Sequence, residues 1–280
     1  MPAFYPSLNL GALGLSADFP TALSLAQEFS YGGIDPDLGY LRENDAAAVA
    51  GRVSDAGLTW GAAGLPVSLT ADVATFAQQL GALPAVIEAL QDAGVTRVGT
   101  WINPSSNEVT YRRNFGRHAE RIALVAELVA AAGIRIGLEY VGPKTSWEVG
   151  QYPFVHSMAE TRELIAASGA TNVGIFLDTY HWYTAGESID DLRALTNADA
   201  VACDLNDAPT GLDRREQQDL ARELPCTTGV IDVAGFVAAL TEIGYDGPVK
   251  VEPFNKEFAA KPLKEAVSEA REATRNALGI

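Results

Sequence analysis

The chain has 280 residues, 48% of them hydrophobic, enough apolar material for one large core. Its formal net charge of −16 repels phosphate backbones, and the densest basic stretches are pairs such as Arg112 with Arg113 and Arg214 with Arg215, so nucleic acid is not expected as a partner. No continuous apolar run reaches roughly eighteen residues, so no membrane partner is expected. The N-terminus from Met1 to Leu10 shows no basic region followed by an apolar stretch, and no secretory signal is expected. Cys203 and Cys226 match no metal or redox spacing and suit a reduced, cytoplasmic setting.

One unit recurs along the chain: a helical pattern, a glycine, then a short apolar run. Helical sequence ends near Gly33, Gly57, Gly94, Gly133, Gly169 and Gly244. A left-handed residue commonly closes a helix, and glycine takes that conformation without penalty. The pattern predicts strands near residues 7–11, 33–35, 58–62, 97–102, 134–141, 172–178, 201–205 and 249–252. Between the fourth and fifth, residues 116–132 read as an amphipathic helix with Ile122, Val125, Leu128 and Val129 on one face. His118, among charged neighbours in that helix, reads as a surface residue. Before the eighth strand, Asp232 is a good N-cap for a helix over 233–243.

Eight strands alternating with helices, at a mean spacing of about 35 residues, imply parallel strands in a unit the size of a closed barrel. The rival is an open doubly wound sheet, which would carry a glycine-rich phosphate loop after its first strand. Gly11-Ala12-Leu13-Gly14 does not match that fingerprint. The expected fold is α/β: one (β/α)8 TIM barrel over residues 1–280, a single domain with its site at the C-terminal face.

Period-two alternation sorts the side chains of the last four strands. Ile134, Ile136 and Leu138 pack under helices, so Arg135, Gly137 and Glu139 point inward. Val173, Ile175 and Leu177 face out, and Asp178 faces in. Val201, Cys203 and Leu205 face out, leaving Ala202, Asp204 and Asn206 inside. Val249 and Val251 face out, and Glu252 faces in. Any one of these acids alone could cap a helix or pair with a basic neighbour. Four converging anions repel one another strongly, and a hard divalent cation with oxygen ligands resolves that repulsion. Glu139, Asp178, Asp204 and Glu252 are the expected metal ligands, at the end of the barrel where such enzymes place their sites.

Gly137-Leu-Glu-Tyr-Val-Gly-Pro-Lys-Thr, Leu177-Asp-Thr-Tyr-His-Trp-Tyr, Leu205-Asn-Asp-Ala-Pro and Gly244-Tyr-Asp-Gly-Pro-Val-Lys-Val-Glu resemble the xylose isomerase-like TIM barrel superfamily. Within it the chain is most similar to the sugar phosphate isomerase/epimerase branch, near ketose 3-epimerases and inosose dehydratases. The resemblance runs through nearly the whole chain and is specific from about Trp101 onward. It implies a metal held by Glu139, Asp178, position 204 and Glu252, with Glu139 and Glu252 also exchanging protons with substrate. The family usually has His at position 204, where this chain has Asp. Xylose isomerases resemble an all-carboxylate arrangement, and an all-oxygen shell favours Mn²⁺ or Mg²⁺. A second departure is Pro225-Cys-Thr-Thr-Gly, where many relatives show Pro-Gly-Glu-Gly.

The implied chemistry is proton abstraction next to the carbonyl of a sugar or cyclitol, through an enediolate whose charge the metal holds. His181 resembles the family's ligand for a substrate oxygen; its other reading is a histidine packed in a loop between Tyr180 and Trp182. Trp101 is read as a wall against the sugar or as barrel filling, Lys144 as a substrate contact or a solvated lysine, and His156 as a weaker substrate contact. Asn206 could touch substrate or metal-bound water, and Asp207 is expected to cap a turn. The resemblance also implies a homodimer or homotetramer. The nearest rival activity is a lyase on the same scaffold, an inosose dehydratase-like enzyme or a 3-keto-glycoside deglycosidase that eliminates a β-substituent. An endonuclease IV-like phosphodiesterase needs a histidine-rich cluster, and the chain has only three histidines. A non-catalytic sugar-binding barrel is the remaining reading.

Overall fold

The computed structural model describes residues 3–280; Met1 and Pro2, the first residues of the stretch read for a signal, lie outside the described residues. Eleven strands follow in chain order: β1 (Tyr5–Leu8), β2 (Gly33–Ile34), β3 (Thr59–Trp60), β4 (Ala63–Gly64), β5 (Arg97–Trp101), β6 (Ser105–Ser106), β7 (Arg135–Glu139), β8 (Tyr152–Pro153), β9 (Val173–Asp178), β10 (Ala200–Leu205) and β11 (Pro248–Val251). Nine form one sheet in the order β3-β2-β1-β11-β10-β9-β7-β5-β4, with parallel pairing throughout. The segments at the two ends of that order, β3 and β4, are separated only by Gly61 and Ala62. They act as two halves of one barrel strand, so the sheet curls round on itself with eight positions. This is the (β/α)8 TIM barrel, with helices between the strands. The β6 and β8 segments pair antiparallel outside that sheet.

Acidic caps start many of the helices, and they account for part of the negative charge. Asp18, Asp37, Asp45, Asp72 and Asp232 each accept a backbone N–H of the first turn. Asp232 caps Val233–Glu242 through the amide of Gly235 at 2.9 Å. At the other ends Gly57, Gly94, Gly133, Gly169 and Gly244 take positive φ, as the pattern predicted. Gly33 does not. The first helix, Phe19–Glu28, stops five residues earlier, and Ser30 takes the left-handed turn with φ 55°. Gly33 lies inside β2 instead, where a Cβ would come within 2.7 Å of the Thr59 carbonyl oxygen and of the Tyr5 ring.

The helix expected over 116–132 is Tyr111–Ala130. Ile122, Val125 and Val129 are buried on its inner face, but Leu128 is exposed beside the stripe. His118 is a second correction. It lies one turn before Ile122 on the same face, fully buried, with Nδ1 2.9 Å from the Asn114 carbonyl and its ring against Phe154. The helix Val73–Asp92 is long and apolar enough to cross a membrane on length and composition alone. Here its Phe76, Leu83, Val86 and Leu90 are buried in the main core.

Inside the barrel, Phe176 packs with Ala62 and Ala202 as a plug distinct from the main core between strands and helices. The plug explains two strand glycines. A Cβ on Gly99 would sit 2.5 Å from the Phe176 ring, and one on Gly137 would sit 3.1 Å from the Phe176 Cβ. The register of β10 against β9 slips between Ala200 and Ala202. Val201, expected to face the helices, is turned by this bulge onto the inward side of Gly137 and Gly174, whose Cβ positions would lie 3.2 and 3.0 Å from its side chain.

Burial lowers the pKa of His118 to about 4, against about 6.5 for a free imidazole. Between those values the unfolded chain binds a proton that the folded chain refuses. Stability therefore falls as pH drops from about 6.5 to 4, by roughly 3 kcal/mol when complete. Urea unfolding of His118→Gln across this range is expected to lose that part of the pH dependence; an unchanged slope would contradict the assignment.

Candidate metal centre and active site

The sheet register brings the acids together. Glu139 lies opposite Trp101 on β5, and Asp204 lies between Asp178 on β9 and Lys250 on β11. Glu252 follows β11 directly. One oxygen from each of Glu139, Asp178, Asp204 and Glu252 lies within 4.8 Å of the others, and Glu139, Asp178 and His181 form an overlapping group. Burial raises the pKa of all four carboxylates. For Glu139 the charges of Glu252, Asp178 and Asp204 add to the effect.

Two cations, Arg222 buried and Lys250 half-buried, divide the cluster. Arg222 places Nη1 3.0 Å from Asp178 Oδ2 and 3.2 Å from Glu252 Oε2, and Nη2 2.7 Å from Asp219 Oδ1. Lys250 points inward, its Nζ 3.5 Å from Asp35 Oδ2, 3.8 Å from Asp204 Oδ2 and 5.0 Å from the centre of the Phe176 ring. Burial pushes Lys250 towards neutrality, but Asp204 and Asp35 outweigh it and hold its pKa above the ordinary lysine value. Asp35 is fixed by Ser7 Oγ at 2.7 Å and Asn9 Nδ2 at 2.8 Å. A Cβ on Gly61 would fall 1.9 Å from Asp35 Oδ1, so only glycine leaves room for this carboxylate.

Among the described residues no Lys or Arg forms an ion pair with Glu139. Glu139 Oε1 and Asp204 Oδ1 are buried without a hydrogen-bond partner. Two bare oxygens inside a cluster of carboxylates are what a hard cation would satisfy. The donor set therefore fits a divalent ion, with Asp178 and Glu252 sharing their charge with Arg222. Asp178 also does the bland work expected of such an acid, since its Oδ1 caps the helix Thr179–Ala185 through the amides of Tyr180 and His181.

His181 is buried, with the Gly142 amide donating to Nδ1 at 3.3 Å. Its Nε2 lies 3.2 Å from Arg222 Nη2 and 3.9 Å from Glu139 Oε1. Burial, with Arg222 adding to it, lowers the imidazole pKa to about 3, so the ring is neutral. Asn206 bridges the site, donating from Nδ2 to Asp178 at 2.9 Å and accepting the Glu252 amide at 2.9 Å. Asp207 accepts amides of Ala208, Thr228, Gly229 and Ile231, so it staples the two ends of the loop that delivers Arg222.

Above the cluster opens a cavity of about 650 Å³ lined by Trp101, Glu139, Val141, His181, Arg222, Glu252 and neighbouring residues. Trp101 stands exposed at its rim, not inside the barrel packing. Lys144 is directed away and pairs with Glu148 at 3.2 Å, leaving its neighbours Thr145 and Ser146 at the wall. His156 is outside the lining: it stacks on Trp147 and sits 2.7 Å from the Phe154 carbonyl. The alternation used for Glu252 would also have found Lys250, two residues earlier, and Asp35, after the outward Ile34. Arg222 lies in a loop without periodicity, and no sequence signal marked it.

Lys250→Met leaves Asp35 and Asp204 buried without their cation. It is expected to cost about 3–5 kcal/mol in urea unfolding, with part of the loss recovered in the Lys250→Met/Asp35→Asn double variant. A loss below about 1 kcal/mol would show that neither carboxylate depends on the ammonium.

The family model described as xylose isomerase-like TIM barrel matches residues 23–277. An inosose isomerase of Bacillus velezensis is 26% identical over 160 residues, 56% of this chain and 52% of that protein, so the chain matches about half the length of such relatives. An L-ribulose 3-epimerase of Mesorhizobium japonicum is 27% identical over 84% of this chain and 73% of its own. A 3-dehydroshikimate dehydratase of Pseudomonas aeruginosa is 28% identical over 52% of this chain and 22% of its own. Among solved structures, a xylose isomerase domain protein from Alicyclobacillus acidocaldarius superposes with TM-score 0.87 at 31% identity, covering 99% of this chain and 98% of that one. The IolI protein with a bound zinc atom has the same fold at TM-score 0.83 and 19% identity, covering 99% and 98%.

Proposed function

Because the chain belongs to the xylose isomerase-like TIM barrel family, we propose that it is a divalent-metal-dependent isomerase or epimerase acting on a small sugar or cyclitol. The observation that carries this reading is one cavity whose floor brings two glutamates, Glu139 and Glu252, to a cluster of oxygens compact enough for a single ion. Glu139, Asp178, Asp204 and Glu252 would hold the ion, and their all-oxygen character favours Mn²⁺ or Mg²⁺. Bound there, it would supply Lewis-acid stabilisation of the negative charge that develops on a carbonyl oxygen.

Glu139 takes the proton from the carbon next to the carbonyl. Its carboxylate lines the cavity, within reach of a substrate bound there. Glu252 comes from a different side of the barrel mouth and returns a proton to the enediolate. Arg222, between Asp178 and Glu252, orients Glu252 and faces the cavity. Neutral His181 offers Nε2 to a substrate oxygen, Asn206 holds Asp178 and the Glu252 backbone in place, and Trp101 walls the opening. Lys144 and His156 lie outside this arrangement. The free Cys203 and Cys226 suit a reducing, cytoplasmic setting.

A second reading, elimination of a β-substituent from the same enediolate, is favoured by the similarity to a 3-dehydroshikimate dehydratase. Incubation with ketoses and inososes in D₂O, with Mn²⁺ or Mg²⁺ present, separates the two. Isomerisation or epimerisation predicts deuterium entering the substrate or its isomer, with the rate falling at least about a hundredfold in Glu139→Gln and Glu252→Gln. Loss of water or of a substituent would favour the lyase, and neither outcome with any ketose or inosose would contradict the enzyme reading.

A further inference from the structure

The cavity has a charged floor and an apolar mouth. Glu139, His181, Arg222 and Glu252 form the floor, while Trp101, Leu220 and Phe254 ring the opening. Those three are 59%, 69% and 37% exposed, so three large apolar side chains meet water at one place. Scattered apolar residues are ordinary on a surface, but a cluster at the entrance to a cavity marks a binding face. The volume of about 650 Å³ is in the middle of the range for pockets that enclose drug-sized ligands, whereas a free hexose or cyclitol has only about a dozen non-hydrogen atoms.

The backbone adds an independent observation. Phe254 has φ 41°, in the left-handed region that a bulky aromatic residue rarely occupies, and such strain persists only where its surroundings hold it. Arg222 packs against it: the guanidinium lies 4.6 Å from the centre of the Phe254 ring, and the Arg222 amide donates to the Pro253 carbonyl at 3.1 Å. Leu220 stands two residues before Arg222, on the loop stapled by Asp207. The loop that carries a cation to the floor therefore also carries an apolar side chain to the rim, and the same cation lies over the aromatic ring beside it.

We propose that the substrate is a sugar or cyclitol bearing a flat apolar substituent, an aryl group, which lies against Trp101, Leu220 and Phe254 while the polyol meets the carboxylates. This inference rests on the site being a metal-dependent sugar site. Flat rings suit this mouth because two of its three apolar side chains are aromatic, against which stacked or edge contacts add to plain burial.

Calorimetric titration of the Mn²⁺-loaded protein with phenyl β-D-glucopyranoside and methyl β-D-glucopyranoside tests the proposal, since the two ligands differ only in the substituent. The phenyl glycoside is expected to bind at least about tenfold more tightly. Leu220→Asp and Trp101→Ala should each reduce that preference while leaving the affinity for Mn²⁺ unchanged. Equal affinity of the wild type for the two glycosides overturns the proposal. So does a Leu220→Asp variant that changes the mass in sedimentation but keeps the phenyl preference, because the rim would then be a contact between copies of the chain. Deuterium exchange into a free ketose, run alongside, keeps the two ideas apart. Exchange without a phenyl preference overturns the aryl substituent and leaves the enzyme reading standing. A phenyl preference that the variants abolish, with no exchange into any ketose whether free or phenyl-substituted, supports the apolar subsite and contradicts the isomerase reading.

Discussion

Five carboxylates, Asp35, Glu139, Asp178, Asp204 and Glu252, share the upper part of the barrel with two cations, the buried Arg222 and the half-buried Lys250. Removing even one charge from water is costly, and like charges a few ångströms apart in a poorly screened interior repel strongly. The arrangement is tolerable because each cation is shared: Arg222 serves Asp178 and Glu252, and Lys250 serves Asp35 and Asp204. Glu139 is left over, and one oxygen of Glu139 and one of Asp204 are buried without a hydrogen-bond partner. The proposed metal site follows from this one imbalance of charge.

The barrel supplies the imbalance through its register. Parallel pairing sets Asp204 beside both Asp178 and Lys250, so their side chains point to the same interior side. Below them the Phe176 plug closes the barrel, with Gly99 and Gly137 making room for its ring. The plug excludes water from beneath, which strengthens every charge interaction above it. The long segment after β10 then brings Arg222 in from the side, and Asp207 anchors both ends of that segment with backbone hydrogen bonds.

The alternation of Ile136, Leu138, Ile175 and Leu177 with Gly137, Glu139, Gly174 and Asp178 made the barrel and the inward acids legible, because parallel strands with one face under helices leave little freedom in side-chain direction. The rule failed at Val201, where a bulge breaks the period. His118 was misread for another reason: charged neighbours suggested a surface, yet His118 and even its neighbour Arg121 are buried on the inner face of the helix. Lys250 and Asp35 were within reach of the rule but lie deeper than the strand ends, where sites are usually sought. Arg222 was not legible, because its position depends on a loop held by contacts with Asp207 and Pro253 that are distant in sequence. Lys144 and His156 are near Glu139 in the chain, yet local partners, Glu148 and Trp147, turn their side chains elsewhere.

The most direct test is a calorimetric titration of the chelator-stripped protein with Mn²⁺ and Mg²⁺, with total metal counted independently. The charge imbalance predicts one ion per chain, bound at least about tenfold more weakly in both Glu139→Gln and Asp204→Asn, since each removes one of the two bare oxygens' charges. A wild-type protein that binds no divalent ion, or two variants that bind it as tightly as the wild type, would contradict the account.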